Sequence, residues 1–93
     1  MADETLVAEA LIGDEAEAFM NSELGRVVLG IAEQEAKVAL EDLKSASVND
    51  QERIRALQNT IWRCESFKQW LSELIDQGQQ ALEALRHDED ANE

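Results

Sequence analysis

Few side chains in this chain could do chemistry, and they do not come as a set. His87 is the only histidine and Cys64 the only cysteine in 93 residues. His87 is followed by Asp88, Glu89 and Asp90 in a polar, acidic end. Metal binding or proton transfer requires several groups held in fixed geometry, and a solvated tail does not hold them. Cys64 falls on an apolar stripe, with Arg63 and Lys68 nearby in sequence but no histidine to act as a base. A buried small hydrophobe is therefore the better reading of this thiol. Carboxylates abound, yet Lys37 stands four residues from both Glu33 and Glu41 and interrupts what would be an acidic row. No E-x-x-H, H-E-x-x-H, EF-hand, P-loop or C-x-x-C pattern occurs. The expectation is a protein with no catalytic residues, no metal and no cofactor.

Trp62 and Trp70 are the more informative side chains. Measured against the apolar stripe of their helix, Trp62 points away and Trp70 lies on the margin, nearer Phe67. An aromatic outside the minimum packing face marks a contact surface. Arg55, Arg63 and Lys68 belong to the same segment. These five residues form the candidate partner-contact set. They would either pack against an acidic helix of a second copy or receive a foreign partner or small ligand.

The elements that position these residues are helices. The sequence has no proline and four glycines, and good helix formers dominate. From Gln51 to Arg86, the residues Ile54, Leu57, Ile61, Cys64, Lys68, Leu71, Ile75, Gly78, Leu82 and Leu85 recur at alternating spacings of three and four. That is one face of one helix, on the order of 50 Å long at about 1.5 Å per residue. Phe67, Leu74 and Ala81 broaden the stripe. Gly78 sits on it, where either close helix contact or a kink would suit glycine.

Residues 1–13 predict a short helix or arm, with Leu6, Val7, Ala10 and Leu11 as its patch, ended by Gly13. Asp14 then offers an N-cap, with Glu17 as the carboxylate of a capping box. A second helix is expected over 14–46, with a kink or break at Asn21-Ser22-Glu23. Its cleanest stripe is Gly25, Leu29, Ala32, Ala36, Ala39, Leu43 and Ala46, small at five of seven places. A bulkier edge adds Leu24, Val28, Ile31 and Val38, widened by Val27 and Leu40. The turn falls at 45–50, where Asn49 and Glu52 match a capping box. The link is short enough to reverse the chain. Residues 87–93 are read as a disordered acidic tail.

The expected fold is all-α: an antiparallel hairpin of two long helices, 14–86, with a short N-terminal helix. Two helices make a line of contact and cannot cover two faces of the second helix. A second copy would complete a helical bundle. Leu24, Leu29, Ile31, Ala32, Ala36, Ala39 and Leu43 on one helix are the expected self-association residues, with Leu57, Ile61, Phe67, Leu71 and Leu74 on the other.

Charge narrows the partners. The formal net charge is −13, with a net −8 in residues 1–46 and none in 51–86. Anionic duplexes and membranes are disfavoured, whereas a basic protein surface suits such a chain. No basic, apolar leader and no run of roughly 20 apolar residues is visible, and a lone cysteine fits a reducing compartment. A cytoplasmic protein is expected, in the host cytoplasm if it is viral.

In size, in the acidic helical run 14–46 and in the aromatic segment from Trp62 to Trp70, the chain resembles the small acidic helical accessory proteins of tailed bacteriophages. The resemblance implies a virion-assembly accessory or an inhibitor of a host protein, and it transfers no site residue. Two further readings stand beside it. One is a decoy that mimics nucleic acid with its carboxylates and binds a basic protein. The other is a small-ligand sponge at a subunit interface.

Overall fold

In the computed structural model, which describes residues 3–91, the chain forms three helices: α1 (Glu4–Asn21), α2 (Glu23–Ser45) and α3 (Gln51–Ala91). No strand occurs among the described residues, so the fold is all-α with helices packed on one another. The chain divides into two compact units. The first joins α1 to the part of α3 from Trp70 onward, and the second is Glu23–Gln69.

In the first unit, Asp3 caps α1 by accepting from the Thr5 backbone N–H at 2.9 Å. Glu4 places a carboxylate in the first turn, where the helix dipole favours it. The helix does not stop at Gly13 and Asp14 does not cap a new one, contrary to the sequence expectation. It continues to Asn21.

The reason lies across the contact. A Cβ built on Gly13 would stand 2.7 Å from Gly78 Cα and 2.9 Å from the Leu74 carbonyl oxygen. One built on Gly78 would stand 2.8 Å from Gly13 Cα. Two helix backbones meet here with no side chain between them. The roughly 1 kcal/mol that glycine costs a helix interior is offset by this approach. Ala10 and Ala16 flank Gly13, and Ala81 lies one turn from Gly78; all three are buried.

Helix α1 ends at Ser22, whose backbone is extended (φ −73°, ψ 159°). The Ser22 N–H donates to the Phe19 carbonyl at 3.1 Å and its hydroxyl donates to the same oxygen at 2.6 Å. Residues 14–21 therefore belong to α1, whereas the sequence assigned them to the second helix. Serine wins here because its short side chain can satisfy a terminal carbonyl that the helix leaves open.

In the second unit, α2 ends with the Ser45 hydroxyl donating to the Asp42 carbonyl at 3.2 Å. The link is residues 46–50. Asp50, one residue after the expected cap, accepts from the Arg53 N–H at 3.2 Å, and its carbonyl accepts from the Ile54 N–H at 3.1 Å. Gly25 and Ala39 on α2 and Cys64 and Ser66 on α3 are the buried residues of this unit. The Cys64 thiol donates to Glu35 Oε2 at 3.8 Å.

Helix α3 runs through His87 to Ala91, beyond the expected end at Arg86. Propagating an established helix costs little compared with nucleating one. The remainder of the expected tail, residues 92 and 93, lies outside the described residues. Along α3 the expected stripe is at least partly covered except at Lys68 and Leu82, and the broadening residues Phe67, Leu74 and Ala81 are covered with it.

Candidate interaction surface

Helix α2 carries two apolar faces, and the chain covers only one of them. Leu29, Ala32, Ala36, Leu43 and Ala46 are half-buried, and Gly25 and Ala39 are buried. The small-residue stripe is therefore turned inward. On the other side Leu24, Val27, Ile31 and Val38 are 65%, 54%, 56% and 49% exposed. Their spacings of three, four and seven keep them on one side of the helix.

Of the residues expected to join copies, ten are at least partly covered within the single chain: Leu29, Ala32, Ala36, Ala39, Leu43, Leu57, Ile61, Phe67, Leu71 and Leu74. Leu24 and Ile31 remain open. Val27 and Val38 join them, although the expected set omitted both. Their signal was present in the sequence as the bulkier edge, but periodicity alone does not say which of two faces turns inward.

The five candidate partner-contact residues are all exposed. In the second unit Arg55 lies two turns from Trp62 on the same side of α3. Arg63 and Lys68 fall about 100–120° away from Trp62 in opposite directions at 100° per residue. Trp62 and Arg55 thus share a face, and the other two cations do not extend it. Trp70 belongs to the first unit. A shallow groove of about 320 Å³ in the second unit is lined by Gln34, Glu35, Val38, Ala39, Asp42, Leu57 and Thr60. A more polar depression along α3 is lined by Gln79, Leu82, Glu83, Arg86 and His87. None of the five lines either one.

The residues with reactive side chains are placed as follows. Cys64 is buried, and the group it meets is the Glu35 carboxylate. His87 is exposed on the last part of α3, beside Arg86. Among the described residues no three of His, Cys, Asp and Glu gather in a way that could hold a metal ion. No described helix is long and apolar enough to cross a membrane.

What the geometry offers is exposed surface. It comprises an apolar seam on α2, a Trp62–Arg55 face on α3 and, in the first unit, exposed Val7, Leu11 and Ile12. No protein-family model matches this chain, and neither a curated protein nor a solved structure shows detectable similarity to it.

Proposed function

We propose that the chain is a non-enzymatic, self-associating helical protein that works as a structural or interaction module. In this reading α2 and α3 form an antiparallel hairpin, and copies complete a helical bundle by covering one another's exposed seams. The order of shared residues supports the hairpin. Glu35 meets Cys64, while Asp42, nearer the link, shares a groove with Leu57, also nearer the link. The resemblance to phage accessory proteins suggests an assembly accessory or an inhibitor of a host protein as the biological setting. The acidic first half supplies a surface for a basic partner.

One observation carries the proposal. Among the described residues the buried hydrophobic ones are four alanines and a cysteine, while Leu24, Val27, Ile31 and Val38 stay at least 49% exposed. Burying a large aliphatic side chain is worth about 1.5–3 kcal/mol, so four such side chains left open along one side of α2 are a substantial apolar contribution still to gain. Light scattering at micromolar concentration is expected to give at least twice the monomer mass. A compact monomer at every concentration would refute the proposal.

A further inference from the structure

Resting on that reading, we infer that the α2 seam pairs with the same seam of a second copy, and that the two α2 helices run parallel and in register. Leu24, Val27, Ile31, Gln34 and Val38 follow at spacings of three, four, three and four, the a and d positions of a coiled coil. All five are exposed in the single chain. Glu41 takes the next d place and forms an ion pair with Lys44 at 3.4 Å, so the apolar seam ends at Val38.

Two features choose the direction. The first is charge. With Leu24 as an a position, the e positions are Val28, Glu35 and Asp42, and the g positions are Gly30, Lys37 and Lys44. One flank of the seam is acidic and the other basic. In a parallel pair each g residue faces the e residue five places on in the partner, so Lys37 meets Asp42 of the second copy, twice by symmetry. In an antiparallel pair g faces g and e faces e. With Gln34 opposite Val38 of the partner, that arrangement brings the two Lys37 side chains together and the two Glu35 side chains together, and like charges disfavour it. With Gln34 opposite Ile31 or Leu24, Lys37 falls against Gly30 or Glu23 of the partner and neither Lys37–Asp42 pair is made.

The second feature is Gln34. In the parallel arrangement its amide meets the same amide of the second copy, and the two can hydrogen-bond. Antiparallel packing puts each a position opposite a d position. Gln34 then falls against Leu24, Ile31 or Val38 of the partner, depending on register, and its buried amide loses its partner. An unpaired buried amide is costly, and a single polar layer of this kind fixes register and direction.

Cysteine cross-linking in a Cys64→Ala background tests the direction, with sedimentation on the same samples before oxidation. Leu24→Cys alone, and separately Val38→Cys alone, should each oxidise to a disulfide dimer, because each a position faces itself only in the parallel pair. If these single variants stay uncross-linked while mixtures of Leu24→Cys with Gln34→Cys or Glu41→Cys, or of Val38→Cys with Gln34→Cys, join, the pair is antiparallel and the inference fails, although self-association stands. A dimer mass with no cross-link in any combination places the contact on another face and also overturns it. A monomer throughout removes both the inference and the reading beneath it. Reversing charge gives an independent check that leaves the seam intact. Lys37→Glu should weaken wild-type-like pairing roughly 2- to 30-fold, the range expected for two exposed ion pairs. Adding Asp42→Lys should restore it. No recovery in the double variant would contradict the assigned Lys37–Asp42 contact.

Discussion

The two units pack helices by different means. Where α1 meets α3, backbone touches backbone, and Gly13 and Gly78 leave no room for a methyl group on either side. In Glu23–Gln69 the contact is made by side chains. Ala39 and Cys64 are buried there, a groove of about 320 Å³ remains beside Ala39, and Gly30 has nothing within 4 Å of where its Cβ would be. The same residue type therefore has opposite meanings at these places. At Gly13 and Gly78 glycine permits the contact, whereas at Gly30 it only weakens the helix. A unit built on backbone contact has no tolerance for added volume. One built on side chains keeps some, and it is also the unit that presents the longer exposed seam.

That contrast can be broken most severely at Gly78. Gly78→Leu drives a side chain into the Gly13 backbone, and overpacking of this kind costs about 1–3 kcal/mol or more. Denaturant unfolding at fixed protein concentration should show the loss, and an unchanged midpoint would mean the glycine contact is not formed. Asp50→Ala removes the α3 cap and is expected to cost about 1 kcal/mol in the same assay. Gly30→Ala should go the other way and stabilise the single chain by roughly 0.4–1 kcal/mol, since within the chain the new methyl meets nothing and the unfolded chain loses freedom. Destabilisation by Gly30→Ala at a concentration where the protein is monomeric would show that the chain itself covers α2 at Gly30. Smallest of all, Val48→Thr in the link, where Val48 is 82% exposed, should stay within about 0.5 kcal/mol of wild type.

The all-helical character was legible because proline is absent and apolar residues recur at helical spacing over long runs. So was the presence of two apolar faces on the second helix, since the small stripe and the bulky edge are separate in the pattern. Three things were not legible, each for a physical reason. Gly13 followed by Asp14 has the local chemistry of a helix end. Only Gly78, 65 positions away, makes it a contact residue, and local signals do not report partners at that distance. The choice of inward face on α2 turned on how closely α3 could approach, and small residues allow the closer approach. The cap at Asp50 in place of Asn49 is a contest between adjacent residues of nearly equal capping strength.

For the candidate surface, the sequence pointed to Leu24 and Ile31 but spread the set over residues that α2 and α3 cover themselves. Trp62 was identified correctly as lying off the packing face: it is 66% exposed. Arg63 and Lys68, grouped with Trp62 in the candidate set, stand one and six residues from it and so about 100–120° around the helix on either side, whereas Arg55 shares its side.

The central claim is that the seam on α2 is covered by another copy of the chain. Sedimentation equilibrium of the wild type beside Ile31→Lys, with helicity checked by circular dichroism, tests it most directly. The account predicts a mass at least twice the monomer's for the wild type and the monomer mass for the variant at the same concentration, with helical content largely retained. Equal masses for the two proteins, whether both monomeric or both associated, would contradict it.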